Sequence, residues 1–344
     1  MEEYLADLDA VCDQKLPWDE LSGKTIMISG ATGMIGSFLI DVLFRKNIGI
    51  KVVALGRNEN KAKDRFEEYW DDPDFSFFSC DITSPIKSDI GHVDYIFHAA
   101  SSTHPKAYST MPIATITANI SGTQNLLDFG CENGMKRFVF ASSVEVYGEN
   151  RGDVDKFDES YCGYIDCNTL RAGYPESKRA GEALVQAYIK EKEIEAVIPR
   201  LSRSYGPTLL ASDTKAISQF IHKGVAGEDI VLKSEGTQLY SYSYVADAVS
   251  GVLFTMLLGE NKEAYNISDK DSDITLRDLA AIIAEYAGKE VVFELPDETE
   301  RAGYSTATKA LLDSSKLQKL GWKSMFDMKK GLTRTIEMLK KTEA

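Results

Sequence analysis

A chain of 344 residues that is 43% hydrophobic and 27% charged has the length for two or three domain-sized units, and its composition excludes a disordered chain. Its 53 acidic residues outnumber its 39 basic ones, for a formal net charge of -14, which argues against general binding to nucleic acid or to an acidic membrane. A phosphorylated ligand stays open, because helix N-termini and a few local arginines suffice to hold one.

Residues 1–22 read as an acidic, helix-prone extension that packs on the body of the protein and ends at Pro17-Trp18. Met1–Ala10 lacks the basic-then-apolar order of a secretory signal, and the longest apolar stretches, such as Val249–Leu258, are too short to cross a bilayer. Cys12, Cys80, Cys131, Cys162 and Cys167 form no CxxC pair, and His92, His98, His104 and His222 show no HExxH spacing. The reading is idle thiols in a reducing cytoplasm and no metal site.

From Lys24 short apolar runs alternate with longer amphipathic segments. Strands are expected at Thr25–Ser29, Lys51–Leu55, Tyr95–His98, Arg137–Ala141 and Glu195–Pro199, and helices at Ile35–Arg45, Ala114–Asn133 and Pro175–Glu191. Such alternation implies parallel strands joined by right-handed crossovers, an α/β doubly wound sheet covered on both faces. After Leu201 the regularity drops, and helices at Lys215–Ala226, Ala246–Leu258 and Leu276–Ala287 outline a smaller mixed α/β region.

Gly30-Ala31-Thr32-Gly33-Met34-Ile35-Gly36 falls between the first strand and the first helix of this pattern. Gly30 permits the sharp reversal, Gly33 lets backbone approach a pyrophosphate, and Gly36 lets the helix pack closely on the sheet. The helix N-terminus offers unpaired N–H groups and a positive dipole to phosphates. A tight βα turn without a ligand is the plainer alternative. The flanking strand and the alternation that follows agree instead on a dinucleotide held by Gly30, Thr32, Gly33, Met34, Ile35 and Gly36.

The G-x-x-G-x-x-G spacing resembles the short-chain dehydrogenase/reductase family. The resemblance continues through Asp81-Ile82 after the third strand, typical of adenine contact, and through His98-Ala99-Ala100 and Asn119. It implies a Rossmann-like NAD(P)-binding domain over residues 23–200 that adds Asp81, Ile82, Ala99, Ala100 and Asn119 to the cofactor set. Residues 201–344 are then mainly the substrate-binding region, with the chain free to cross back to the sheet. At the end of the second strand Gly56-Arg57-Asn58 stands where an NAD site places an acid for the ribose 2′-OH. With Arg57 and Asn58 there, NADP is favoured over NAD; the alternative is a solvated Arg57 stacked on the adenine, with NAD bound.

Tyr174-Pro175-Glu176-Ser177-Lys178 puts a tyrosine and a lysine on one helix face. A nearby ammonium and a positively charged nicotinamide can bring the phenol into a useful range, and the lysine can also bond the cofactor ribose. Phe140-Ala141-Ser142-Ser143-Val144-Glu145-Val146-Tyr147-Gly148 resembles the catalytic loop of the extended short-chain dehydrogenases, the nucleotide-sugar epimerases, dehydratases and decarboxylases. The resemblance also covers Tyr205-Gly206-Pro207, Tyr244-Val245-Ala246-Asp247 and Leu320-Gly321-Trp322. It implies that Ser143 bonds the reacting hydroxyl, and that Ser143, Glu145, Tyr174 and Lys178 are catalytic.

Glu145 falls where the dehydratases and glucuronate decarboxylases carry a catalytic glutamate, but Val144 stands where a 4,6-dehydratase has its acid. Arg171-Ala172-Gly173-Tyr174 through Lys178-Arg179 is similar to the corresponding run of UDP-glucuronate decarboxylases. A structural carboxylate bonded to loop amides is the alternative for Glu145. The family's asparagine before Tyr-Gly-Pro is Arg203 here, the arginine after that motif is Thr208, and a further arginine is Tyr240. Either Arg203 takes over the pyrophosphate, or the substrate is not an ordinary nucleoside-diphosphate sugar. Thr103, Ser143, Arg171, Arg203 and Tyr240 make up the expected substrate set, and Lys309 is a weak candidate for a sugar carboxylate.

The function implied is an NAD(P)-dependent nucleotide-sugar epimerase or decarboxylase working through transient C4 oxidation with a tightly bound cofactor, in a cytoplasmic homodimer. The alternatives are an NADPH-dependent keto-sugar reductase, a 4,6-dehydratase that lacks its acid, and a dinucleotide-sensing regulator, against which intact Tyr174 and Lys178 weigh.

Overall fold

The structure is a computed structural model that describes every residue except 1, 87, 104, 295, 299–306 and 344, so His104 lies outside the described residues. Helix α1 (Glu2–Cys12) is followed by β1 (Thr25–Ser29), α2 (Met34–Lys46), β2 (Lys51–Gly56), α3 (Glu59–Arg65), β3 (Phe75–Ser79) and β4 (Tyr95–His98). Then come α4 (Pro105–Thr110), α5 (Pro112–Glu132), β5 (Arg137–Phe140), β6 (Ser142–Ser143), α6 (Gly173–Lys192) and β7 (Ala196–Leu201). The second half holds β8 (Arg203–Tyr205), α7 (Ala216–Ala226), β9 (Ile230–Leu232), β10 (Leu239–Tyr244), α8 (Val245–Leu258) and β11 (Ala264–Ile267). It continues with β12 (Asp273–Thr275), α9 (Leu276–Ala287), β13 (Val291–Phe293), β14 (Lys309–Ala310), α10 (Ser315–Gln318) and α11 (Met328–Glu343).

The central sheet runs β3-β2-β1-β4-β5-β7-β11, parallel throughout, with β6 extending the pairing along β7. Its strands are buried on both faces, which is why they read as unbroken apolar runs. In β1 the side chains of Ile26 and Ile28 enter the core that holds Phe38 and Leu39 of α2, while Met27 between them enters the core that holds Leu126 and Leu127 of α5. This period-two division places a helical layer on each face, the Rossmann-like arrangement.

The chain does return to this sheet after residue 201. Strand β11 pairs with β7, and α8, buried along Val245–Leu257, packs on β7 and α2. A helix apolar all round is an interior helix. The remaining short strands form a β12-β10-β14 sheet, with β8 also on β10, and a β9–β13 pair. Helix α1 lies on α2, α8 and α11, where buried Asp7 accepts from Tyr244 Oη at 2.5 Å and pairs with Arg334 at 2.6 Å.

The expected strand Arg137–Ala141 ends at Phe140, and the expected Glu195–Pro199 runs on to Leu201. Pro199 has no N–H to give to the ladder. Pairing of β7 with β5 stops at Val139↔Val197 and resumes with β6 at Ser142↔Arg200. That interruption separates Ser142-Ser143 from β5 and brings Ser143 to the strand end, where the site lies.

Candidate active site

Gly30 follows β1 with φ +72°, and a Cβ there would lie 2.8 Å from the Ala99 carbonyl carbon and the Ala100 nitrogen. A Cβ on Gly36 would lie 2.5 Å from the Gly30 carbonyl oxygen. Gly33 is the N-cap of α2, extended and without a side-chain cap, so the first N–H groups of that helix are left for a ligand. Gly30, Gly33, Met34, Ile35, Gly36 and Ala99 line a cleft of about 370 Å³, a common size for a small-molecule site.

Thr32, Arg57, Asn58, Asp81, Ile82, Ala100 and Asn119 do not line that cleft. Ala100 N–H donates to Ser29 Oγ at 3.3 Å, and Asn58 Oδ1 caps α3 through Lys61 N–H at 2.9 Å. Asp81 turns onto Thr83, accepting from its N–H at 3.0 Å and its Oγ1 at 2.8 Å, and these bonds, with Arg57 nearby, hold its carboxyl below the usual range. Ile82 is buried against Gly122, where a Cβ would meet its Cδ1 at 2.5 Å. Asn119 is buried and donates to Ser177 Oγ at 2.9 Å, tying α5 to α6. Arg57 is exposed just beyond β2. The glycine cradle, the uncapped helix end and the cleft together fit a dinucleotide.

The reacting groups converge from two elements. Ser143 caps the short helical turn Val144–Tyr147, its Oγ accepting from Glu145 N–H at 3.2 Å. Tyr174 and Lys178 come one turn apart from α6, and all three line the cleft. Burial pushes the Tyr174 phenol up to about 12 against a hydrogen bond from Ser143. Burial also drives the Lys178 ammonium down to about 7, with Glu182 opposing it, and its Nζ donates to the Ala141 carbonyl at 2.8 Å. The charges that bear on Tyr174 are those of Glu145 and Arg171. Tyr108 of α4, which sequence reasoning did not reach, stacks on Tyr174 with ring centroids 4.8 Å apart and lies under the Arg171 guanidinium at 4.9 Å.

Among the described residues no loop amide is seen to bond the Glu145 carboxylate. Arg171 Nη2 donates to its Oε2 at 2.6 Å and Arg203 Nη2 to its Oε1 at 3.3 Å. Burial alone would raise this carboxyl, but the guanidiniums reverse that and hold it below the ordinary range. Arg203 stacks at 3.6 Å over Tyr240, whose hydroxyl donates to the Ala307 carbonyl at 2.7 Å. Thr103, Arg171, Arg203 and Tyr240 all line the cleft. Thr208 braces the loop helix instead, donating to the Met34 carbonyl at 3.0 Å. Lys309 pairs with Asp155 at 2.6 Å and does not line the cleft, which removes it as a carboxylate ligand there. Asp213, Lys215, Lys233 and Gln238 also line the cleft; nothing in their spacing announced them. Among the described residues no cluster of side chains could hold a metal ion, and no helix is long and apolar enough to cross a membrane.

Residues 26–268 match the model of the NAD dependent epimerase/dehydratase family. UDP-glucuronic acid decarboxylase 5 of Arabidopsis thaliana is 30% identical, over 90% of this chain and 88% of that protein. Among solved structures, UDP-glucose 4-epimerase of Thermotoga maritima, with UDP-glucose, superposes with a TM-score of 0.81 at 23% identity, over 93% of this chain and 100% of the other. UDP-glucuronic acid 4-epimerase of Bacillus cereus, in complex with UDP-glucuronic acid and NAD, gives 0.80 at 22%, over 92% and 99%. At these identities the structural likeness speaks for the fold.

Proposed function

The chain belongs to the NAD dependent epimerase/dehydratase family and is an enzyme of it, and from that premise we propose that it oxidises the C4 hydroxyl of a nucleotide-linked sugar and then decarboxylates or epimerises it. The observation that carries this reading is one cleft that brings Ser143, Tyr174, Lys178 and ionised Glu145 against the uncapped end of α2. The UDP-glucuronic acid decarboxylases among its relatives make a UDP-linked sugar acid the substrate class to try first.

Ser143 Oγ orients the C4 hydroxyl, and Tyr174 beside it, as the phenolate, takes that proton and later returns it. A bound dinucleotide would supply hydride acceptance and return, and a positive charge that lowers the Tyr174 phenol. Lys178, on the same helix face, would hold the ribose and stabilises the phenolate when it carries its proton. Glu145 stays charged between its arginines and is a general base or an electrostatic guide, never a proton donor at neutral pH. A C4 ketone makes a C5 carboxylate a β-keto acid, so carbon dioxide can leave without a general acid. Val144, buried and apolar, offers none, which disfavours loss of water. Holding sugar and nicotinamide in one cleft makes each transfer effectively intramolecular.

For the cofactor we favour NADP, retained between turnovers, because exposed Arg57 follows β2 and Asp81 is turned onto Thr83. Denaturing the purified protein and analysing the released dinucleotide tests both points. Stoichiometric cofactor supports the recycling enzyme, whereas none supports a keto-sugar reductase. Residues 201–344 outside α8 and β11 are assigned mainly to substrate binding, and the thiols, none of them in a disulfide among the described residues, suit a reducing cytoplasm. A homodimer through α5 and α6 completes the proposal. Incubation with UDP-, GDP-, CDP- and dTDP-sugars followed by mass analysis decides the chemistry. Loss of the mass of carbon dioxide supports decarboxylation, an unchanged mass with altered configuration supports epimerisation, and loss of water contradicts the role given to Val144. Tyr174→Phe should abolish turnover; if it does not, the catalytic assignment fails.

A further inference from the structure

Three successive turns of α6 meet three consecutive residues at one strand end. Tyr174 is hydrogen-bonded by Ser143, Lys178 Nζ donates to the Ala141 carbonyl at 2.8 Å, and Ser142 Oγ donates to Glu182 Oε1 at 2.5 Å. Glu182 lies four residues after Lys178, so both side chains share one helix face. From β7, Arg200 closes its fork on the same carboxylate, Nε to Oε1 at 2.9 Å and Nη2 to Oε2 at 2.6 Å. Its Nη1 donates to Tyr147 Oη at 2.9 Å and to the Glu159 carbonyl at 2.8 Å. Neither Glu182 nor Arg200 lines the cleft, so what they do there they do through the residues that line it.

Tying two elements together does not require charge, since packed apolar side chains do so as well as a buried ion pair. What a carboxylate adds at this place is its negative charge. Burial works against the Lys178 ammonium, and Glu182 opposes that. The other groups around Lys178 do not replace it. From β5 comes the Phe140 ring, 4.8 Å from Nζ, and from β4 comes His98, which burial and the Lys178 charge hold as the neutral imidazole. Glu145, in the turn after β6, is taken up by Arg171 and Arg203. We propose that Glu182 is a positioning residue for the proton transfer. It fixes the strand end that carries Ser143 against α6 and keeps Lys178 in the charged form that stabilises the Tyr174 phenolate, while Arg200 holds Glu182 in place. The catalytic part of this role rests on the reading of Tyr174 and Lys178 as the reacting pair.

Lysine labelled with carbon-13 at Cε reports the charge of Lys178 by NMR in the purified, dinucleotide-free protein, its signal identified by its loss in Lys178→Met. Glu182→Gln keeps the shape of the side chain and removes its charge, so it should move the Lys178 titration down by about one pH unit or more. Arg200→Gln leaves the Glu182 charge unbalanced and should move the titration up; it carries the test if Glu182→Gln loses its melting transition. Ser142→Ala removes a hydrogen bond and no charge, and should leave the titration where it is. In the holoenzyme given UDP-glucuronic acid, the fall of kcat at high pH should shift in the same directions as the titration. A titration that stays put in both charge variants, or moves the same way in both, overturns the role of Glu182. A kcat lowered by one factor at every pH overturns its catalytic part. If the wild type turns over no member of the sugar-nucleotide panel, the sugar-oxidation reading falls, while the titration still decides what Glu182 does to Lys178.

Discussion

Lys178 is buried with a backbone carbonyl as its hydrogen-bond acceptor, and its ammonium is pushed down to about 7. In the unfolded chain a lysine titrates near about 10.4. Between those values the unfolded state binds a proton that the folded state does not, so stability rises with pH across the window. Below about 7 both states are protonated and the full cost of burying the charge applies. Lys178→Met should therefore abolish turnover yet stabilise the dinucleotide-free protein. The gain should be largest at and below neutral pH and fade toward about pH 10.4. Urea unfolding midpoints across that range check it, and a pH-independent gain would mean only better packing. Tyr240→Leu removes the face on which Arg203 rests. It should raise KM for a sugar acid by about three- to tenfold, with kcat changed less, as expected from a cation–π contact worth about 0.5–2 kcal/mol; a loss confined to kcat would reject this. At this scale Tyr174 and Lys178 stood out by their four-residue spacing, and Ser143 only through the resemblance of its loop. Arg203 and Tyr240 stood out as departures, but their stacking depends on β8 and β10 pairing Arg203 with Tyr242, which no local pattern reveals. Tyr108 carried no signal at all.

Among the elements, the turn from β1 into α2 has little tolerance for a side chain. A Cβ on Gly36 would sit 2.5 Å from the Gly30 carbonyl oxygen and 3.1 Å from Ala31 atoms, and all of these are backbone that cannot swing aside. Gly36→Ala should push the start of α2 away from the sheet and weaken dinucleotide affinity by about tenfold or more, with a loss of about 1–3 kcal/mol in stability from overpacking. Titration calorimetry with the dinucleotide and a thermal melt measure the two; unchanged affinity would show that the loop does not hold the phosphates. The same strand–glycine–helix unit explains why the first half was readable. Its strands are short apolar runs buried on both faces, and its helices are long enough to show a period. The second half resisted because β8, β9, β11, β12, β13 and β14 have two to four residues each. Their pairing depends on partners distant in sequence, as when Tyr240 meets Ile274 on one side and Ala310 on the other.

On the whole molecule, apolar side chains remain uncovered on and beside the helix pair that carries the site. Ile113 is 78% exposed and Ile120 37%, seven residues apart on one face of α5; Met111, at 50%, directly precedes α5, and Leu170, at 59%, lies just before α6. On α6 the accessible positions include Ala180, Ala183 and Ala187, small residues that let another helix approach. A second copy related by a two-fold axis would place α5 and α6 against their counterparts, each patch covering its own kind. Leu170 adjoins Arg171 and the start of α6, so the same association would steady the turn from which Arg171 reaches Glu145. The purified protein should therefore sediment as a dimer at micromolar concentration. Ile113→Glu combined with Ile120→Glu should shift it to monomer, because burying two carboxylates without partners costs several kcal/mol. Turnover should fall with dimer content as the protein is diluted. A wild type that stays monomeric at high concentration, or a double variant that remains dimeric, would place the interface elsewhere.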